Sequence, residues 1–369
     1  MAAPTAPANP MSRPVVARID LAAIRHNLQL LRRRAGGARV LAVVKADGYG
    51  HGLERVAGAL EAADGFGVAS LEDAVRLREA GFGQRIVLLS GFTTAADLPR
   101  LRALALDTVV HHDSQLAVLE EAGADGPPLR VWLKIDSGMH RLGFAPGRAR
   151  EVHARLSALP WVAEAPVLMT HFASSDVFDG ELTHAQIRAF AEAVEGLPGE
   201  RSLSNSAAVL GWGEASAQWV RPGGALYGIS VVEGRSGADF GLKPAMALSS
   251  ALIAINRVAA GEPVGYGGAW RAPEAMPLGV VALGYGDGYP RAAAPGTPMR
   301  LRGVEVPVVG RISMDLVTLD LRGVPGAQVG DEVLAWGDGL PVERVAACAG
   351  TIGYELVCSI TRRVRFETA

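Results

Sequence analysis

Val43-Val44-Lys45-Ala46-Asp47-Gly48-Tyr49-Gly50-His51-Gly52 places a lysine at the close of a β-branched run, with a glycine-punctuated turn directly behind it. A lysine at a strand end loses little entropy when fixed, and apolar neighbours lower its pKa from about 10.4, so neutral amine is available near pH 7. Neutral amine is what a Schiff base to an aldehyde cofactor requires. The plainer alternative is a surface lysine just past a strand. Strand, then polar turn, then helix is also the grammar of a parallel α/β fold, and the neighbouring sequence repeats it.

Short β-branched runs recur at Val40–Lys45, Phe66–Ala69, Arg85–Ser90, Asp107–His111, Leu129–Asp136, Val167–His171, Arg201–Ser204 and Ala225–Ser230. Amphipathic segments separate them. Ser70-Leu71-Glu72-Asp73 and Thr183-His184-Ala185-Gln186 have capping-box spacing, Ser114 is a third candidate cap, and Gly81 ends the helix over Leu71–Ala80. Eight such units, spaced ~20–36 residues, predict an N-terminal (β/α)8 TIM-type barrel. Beyond Gly241–Pro244 the rhythm changes. Leu248–Val258, Pro277–Leu283, Met299–Arg302, Val306–Val309, Leu316–Leu319, Glu332–Ala335 and Arg363–Phe366 read as strands between Gly/Pro turns, interrupted by a helix over Leu340–Ala349. The expected organisation is therefore a disordered tail over 1–12, a barrel over 13–243 and a C-terminal mainly-β domain over 244–369.

A hydrophobic fraction of 49% and a net charge of −2 describe a well-cored enzyme-like chain without the basic excess that nucleic acid demands. Mean hydropathy is +0.20, yet no apolar run reaches the ~18 residues that span a bilayer. The first twelve residues lack a cationic start and a proline-free apolar core, so no secretory signal is expected, and Met11 is an alternative start. Cytoplasmic residence follows as the expectation, with Cys348 and Cys358 as buried thiols. Their spacing does not suit zinc, and His111 and His112 point to opposite faces of one strand, so no metal site is expected.

Barrel enzymes carry their chemistry at the carboxyl ends of the strands. There stand Lys45, Lys134-Ile135-Asp136, His171, Asn205-Ser206 and Arg221-Pro222-Gly223-Gly224. Further words are Lys134-Ile-Asp-Ser-Gly-Met-His-Arg141-Leu-Gly143, Met169-Thr-His171-Phe-Ala, Ser204-Asn-Ser-Ala-Ala208, Trp219-Val-Arg-Pro-Gly223, Val264-Gly-Tyr266-Gly, Gly284-Tyr285-Gly-Asp-Gly-Tyr-Pro-Arg291, Gly310-Arg-Ile-Ser-Met314-Asp315 and Gly353-Tyr354-Glu355. In this order, from about Arg18 to Phe366, the chain resembles the alanine racemases, enzymes that use pyridoxal 5′-phosphate (PLP).

The resemblance implies that Lys45 forms the Schiff base with PLP and acts as acid/base on one face of the substrate α-carbon, with Tyr266 as the base on the other. A phenol near pKa 10 needs positive charge nearby to serve as a base, and His171 and Arg221 match the family's supporting chain. Tyr49, Ser206, Tyr354 and the amides around Gly223 and Gly224 would hold the phosphate; His171 would stack on the ring, and Asn205 would add an outer hydrogen bond. Arg221 would face the ring nitrogen. A guanidinium does not surrender its proton, so the nitrogen stays an acceptor, the ring is a weaker electron sink and transamination is suppressed. Arg141, Met314 and Asp315 match substrate-side residues, Tyr285 would line the entrance, and Lys134 matches a lysine often carbamylated in the family, an ordinary Lys134–Asp ion pair being the alternative. The resemblance further implies a homodimer sharing its active sites between subunits.

The chain departs from the family pattern in two places. Ser202 stands where many members have histidine, which removes a second histidine behind Arg221, and Ser313 replaces a common cysteine. The expected function is interconversion of L- and D-alanine for peptidoglycan, a catabolic role being equally open to the sequence. Three alternatives remain: a racemase of broader range, a barrel-type PLP decarboxylase, and a non-catalytic PLP carrier. The crowding tyrosines 354 and 285 and the missing export signal speak against the first. R-P-G-G in place of E-P-G-R speaks against the second, and Tyr266 with a full second domain against the third.

Overall fold

The computed structural model describes residues 13–123 and 126–369; the expected tail over 1–12, and the start at Met11, lie outside the described residues. The chain divides into two units, one of Leu21–Ala245 and one that joins the N-terminal segment through Asp20 to Met246–Ala369. The second unit begins with β1 (Val16–Ile19), so residues 13–20, expected with the barrel, belong elsewhere. The reason is pairing, which a four-residue strand cannot announce in sequence.

In the first unit eight parallel strands close into a barrel: β2 (Arg39–Val43), β3 (Gly65–Val68), β4 (Arg85–Leu88), β5 (Asp107–Val110), β6 (Val131–Lys134), β7 (Val167–Met169), β8 (Arg201–Ser202) and β9 (Trp219–Val220). β3, β5 and β6 are buried at every position, so their side chains are covered on both faces, with Asp107, Thr108 and Lys134 as polar exceptions in otherwise apolar strands. Leu41, Val87, Val109, Trp132, Val167, Met169 and Trp219 fill the interior. The eighth strand is Trp219–Val220 and not Ala225–Ser230; the latter starts as a 3-10 turn over Gly224–Tyr227. The helix Leu21–Arg34 packs on that turn, where Asn27 Nδ2 donates to the carbonyls of Leu226 (3.0 Å) and Lys243 (2.8 Å).

Two of the three expected caps move. Ser70 Oγ accepts the Asp73 N–H at 3.2 Å as expected. Thr183 instead lies inside the helix Glu181–Ala193, and His112, not Ser114, caps the helix Asp113–Glu121 through its imidazole. Gly81 follows the C-cap of its helix with φ +87°, a conformation glycine adopts without strain.

The second unit is β-rich. Strand β10 (Met246–Val258) is followed by the hairpin β11 (Pro263–Val264) and β12 (Trp270–Arg271), then β13 (Met276–Val281), β14 (Pro298–Leu301), β15 (Val304–Val309), β16 (Val317–Asp320), β17 (Glu332–Trp336) and β18 (Arg365–Thr368). The order is β13-β16-β15-β14-β17-β10-β1-β18, and β10 bends at an irregularity to pair β13 as well. A second helix, Gly353–Cys358, follows the expected one, which spans Val342–Cys348. Cys348 and Cys358 are exposed, not buried. Each sits at the last helical position, off the buried stripes of Val342, Val345 and Ala346 and of Gly353, Leu356 and Val357.

Candidate active site

Lys45 lies two residues past the end of β2 and opens a turn of unusual hand. Ala46, Asp47, Gly48 and Tyr49 all have φ between +52° and +63°. Bonds from Gly48 N–H to Val44 carbonyl and from Gly50 N–H to Ala46 carbonyl, both 2.9 Å, make it one turn of left-handed helix. Each of the three non-glycine residues is strained by roughly 1–2 kcal/mol. Surrounding contacts hold the turn. The Leu53 N–H meets Asp47 Oδ1 at 3.1 Å, and His51 Nδ1–H donates to the Tyr49 carbonyl at 2.8 Å. Full burial pushes His51 down to about 4, so its imidazole is neutral. Lys45 itself is exposed on the rim.

Arg221 follows β9 and is 4% exposed. Its Nη1 donates to Ser202 Oγ at 2.6 Å, and its Nη2 reaches the carbonyls of Thr170 (2.6 Å) and Leu203 (3.2 Å) and His171 Nδ1 (3.5 Å). The Ser202 hydroxyl spends its own proton on the Trp219 carbonyl at 3.1 Å, which leaves a lone pair for Arg221. The serine that stands for a histidine thus supports the arginine directly, which the sequence did not suggest. All these acceptors are neutral. Burial lowers Arg221 to about 10, so it stays cationic at pH 7. Burial, then the charges of Arg221, Lys134, Arg141 and Lys45, hold His171 well below its ordinary value.

Lys134 ends β6 and is buried; burial, then Arg221 and Arg141, lower it to about 8. The alternative Lys134–Asp ion pair does not form among the described residues. Asp136 is committed elsewhere: its Oδ1 accepts the N–H groups of Gly138, Met139 and His140 at 3.0–3.1 Å, which hold the carboxyl below its usual range despite part burial. These bonds shape the loop that presents Arg141, an exposed side chain. Gln186, expected in a capping box, instead pins the stretch after β7: its Nε2 donates to the His171 carbonyl at 3.1 Å and its Oε1 accepts the Ala173 N–H at 2.8 Å.

Beside this cluster lies a cradle of small groups. Ser206 Oγ accepts the N–H groups of Gly223 (2.8 Å) and Ala225 (3.3 Å). A Cβ on Gly223 would collide with the Tyr49 hydroxyl, so only glycine brings that phenol onto the main chain. Tyr49 stacks on Tyr227 at 4.8 Å, and the Tyr227 hydroxyl donates to the Val43 carbonyl at 3.2 Å. Gly224 opens the 3-10 turn. Asn205 caps the helix Ser206–Gly211, its Oδ1 taking the Ala208 N–H at 3.0 Å and the Ser175 hydroxyl at 2.9 Å. Because Ser206 Oγ only accepts in these bonds, its hydroxyl proton remains for a phosphate oxyanion, which would compete with Ser206 for the same amides, next to cations.

In the β unit, Tyr266 is 70% exposed on a 3-10 turn between Gly265 and Gly267, both at φ +72°. Val264 pairs with Trp270 across the turn. Tyr285 opens another such turn over Tyr285–Asp287. Met314 is 53% exposed, and Tyr354 is half-buried in the helix Gly353–Cys358. Asp315, expected on the substrate side, pairs with Arg363 at 2.8 Å. Among the described residues no group of three or more His, Cys, Asp or Glu could hold a metal ion.

Residues 19–231 match the family model of the alanine racemase N-terminal domain and residues 245–368 that of its C-terminal domain. An alanine racemase of Shewanella sp. (strain MR-7) is 52% identical over 348 residues, 94% of this chain and 97% of that one. The crystal structure of a biosynthetic alanine racemase from Pseudomonas aeruginosa superposes with a TM-score of 0.94 at 46% identity, over 97% of this chain and 99% of that one. An alanine racemase structure from Acinetobacter baumannii gives 0.91 at 36% identity, over 97% and 100%. With both domain models matched and half its residues identical to those of such relatives, the chain belongs to the alanine racemase family.

Proposed function

We propose that the protein interconverts L- and D-alanine with PLP held at the barrel rim, supplying D-alanine for peptidoglycan in the cytoplasm. One observation carries the reading: Lys134, Arg141 and Arg221 gather beside Lys45 and make no ion pair among the described residues, next to a cradle of hydroxyls and amides. The donor set fits the cofactor. Ser206, Tyr49, Gly223 and Gly224, joined by Tyr354, would hold its phosphate; His171 would lie on its ring and Arg221 at the ring nitrogen, with Asn205 supporting the cradle through its cap. When bound, PLP supplies an aldehyde for the Lys45 amine and a ring that draws electron density from the substrate α-carbon.

The remaining chemistry belongs to the chain. Lys45 takes or returns the α-proton on one face, and Tyr266 does so on the other, since inversion needs one base per face. Arg221, protonated at pH 7, would leave the ring nitrogen an acceptor, which would favour reprotonation over transamination. Arg141 supplies charge near the substrate carboxylate, the Met314 N–H receives one of its oxygens, Asp315 supports that segment, and Tyr285 narrows the entrance. The active form is a homodimer in which Tyr266, Tyr285 and Met314 of one subunit complete the barrel site of the other; the exposure of Tyr266 and Met314 supports this. No helix among the described residues is long and apolar enough to cross a membrane. Lys134, with its amine lowered to about 8, takes up carbon dioxide as a carbamate, supplying the negative charge that its cationic neighbours lack. A carbamate resonance absent from carbon NMR under labelled carbon dioxide would remove that modification.

The test is a coupled assay of D-amino acid formation from L-alanine, L-serine and L-lysine in parallel. L-Alanine should be racemised fastest, and a faster rate with L-lysine would move the substrate assignment. Replacing Tyr266 with phenylalanine should lower the rate by at least ~10²-fold, most strongly from the L-alanine side. Equal loss of solvent-isotope exchange from both enantiomers would defeat the one-base-per-face scheme.

A further inference from the structure

Met314 lies between two peptide groups that are both pinned. The Tyr285 N–H donates to the Ser313 carbonyl at 3.1 Å. A trans peptide is planar, so fixing that carbonyl aims the Met314 N–H the opposite way. The Met314 carbonyl accepts the Gly286 N–H at 2.8 Å and Arg363 Nη2 at 3.1 Å. The Met314 N–H has no hydrogen-bond partner among the described residues. Glycine is what allows this closeness: a Cβ on Gly284 would strike the Met314 carbonyl, and one on Gly286 the Arg363 guanidinium.

Arg363 donates one hydrogen bond through Nη2 and makes ion-pair contacts through Nε and Nη1 that lack hydrogen-bond geometry. Nε meets Asp287 Oδ1 at 2.7 Å, Nη1 meets Asp315 Oδ1 at 2.8 Å, and Nη2 takes the Met314 carbonyl. Asp287 is fully buried and also accepts Arg13 Nη2 at 2.8 Å and the Gly284 N–H at 2.9 Å. Arg13 Nη2 continues to the Asp315 carbonyl at 3.1 Å. Two arginines and two aspartates balance in charge, so the cluster offers a passing anion little net attraction. Its effect is directional.

We infer that Arg363, anchored on Asp287, is a positioning residue that aims the Met314 N–H at the substrate carboxylate; this rests on the racemase reading above. One neutral amide donor loses much of its hydrogen bond once misdirected. Lysine at 363 would keep the charge, yet a single ammonium cannot span three acceptors held in a fork. Arg363→Lys therefore separates aiming from charge, and Arg363→Ala removes both.

The experiment compares wild-type holoenzyme with both variants in three readouts: kcat and KM for L-alanine, the dissociation constant of propionate by calorimetry, and the melting temperature. Arg363→Lys should raise KM and the propionate constant together by about 10-fold. Its kcat should stay within about threefold and its melting temperature within about 2 °C of wild type. Arg363→Ala should raise both constants further. Wild-type KM and propionate affinity in Arg363→Lys overturn the proposal, as does a fall in kcat and melting temperature with both constants unmoved. Wild-type protein that forms no D-alanine overturns the racemase reading instead, and the calorimetric comparison still decides whether Arg363 governs carboxylate binding.

Discussion

At the amino ends of the barrel strands the carboxylates, Asp107 buried and Glu200 half-buried, are matched by arginines. Trp132 Nε1 donates to Asp107 at 3.0 Å, and Asp107 pairs with Arg85 at 3.4 Å. Trp219 Nε1 donates to Glu200 at 2.8 Å, Glu200 also pairs with Arg39, and Arg39 lies over the Trp219 ring at 4.3 Å. At the carboxyl ends of the same strands, Arg221 spends its donors on a hydroxyl, two carbonyls and a neutral imidazole, while Lys134 and Arg141 have no ion pair among the described residues. One end therefore closes the barrel, and the other keeps positive charge available for an anion that the described residues do not provide. Substitutions at the two ends should separate activity from stability.

The largest effect belongs to the rim. Lys45→Ala should lower racemisation by ~10⁴-fold, the upper range for loss of an acid–base group, which the proposed function makes the covalent anchor as well, with little change in the melting temperature of the cofactor-free protein. Retention of more than about a hundredth of the wild-type rate would place the chemistry elsewhere.

Ser202→Ala tests whether the rim's neutral acceptors matter. It strands an Arg221 N–H in a buried setting, which costs about 1–3 kcal/mol. Both rate and stability should fall, the rate by about 10-fold. Ser202→Thr, which keeps the hydroxyl, should recover most of each in stopped assays and thermal melts. Unchanged kinetics in Ser202→Ala would mean the three remaining acceptors suffice.

The smallest effect on activity belongs to the floor. Burial raises Asp107 to about 6, against the opposing pull of Arg85 and Trp132. Because the folded carboxyl holds its proton more tightly than the unfolded one, its contribution favours folding near pH 4 and is lost as pH rises through 6. Asp107→Asn removes that dependence. Relative to wild type, the variant should gain on the order of 2 kcal/mol between pH 4 and pH 7, read by denaturant titration, with kcat within about twofold. A difference independent of pH would show that Arg85 keeps the carboxylate ionised throughout.

Seven barrel strands were legible because β-branched runs between turn residues leave few other readings. The eighth was not. Trp219–Val220 is two residues long, while Ala225–Ser230 looks more like a strand yet curls into a 3-10 turn. At the site, residue identities were legible from their words, but the backbone beneath them was not. Ala46 and Tyr49 carry no propensity for left-handed helix and Asp47 only a weak one; the bond that Asp47 accepts from Leu53 and the one His51 donates to Tyr49 show what holds them there. At Ser202 the sequence shows only a missing histidine; its hydroxyl bonds to Trp219 and Arg221 depend on β8 and β9 lying side by side. Arg363 and Asp287 were hidden for the same reason, since 76 residues separate them along the chain.

The chain has three lysines, Lys45, Lys134 and Lys243, which makes one measurement decisive for the rim. Holoenzyme is reduced with labelled borohydride, digested and mapped by mass spectrometry. A reduced pyridoxyl adduct is expected on the peptide containing Lys45, with Lys134 and Lys243 unlabelled. Label on Lys134, or on neither rim lysine, would contradict this expectation.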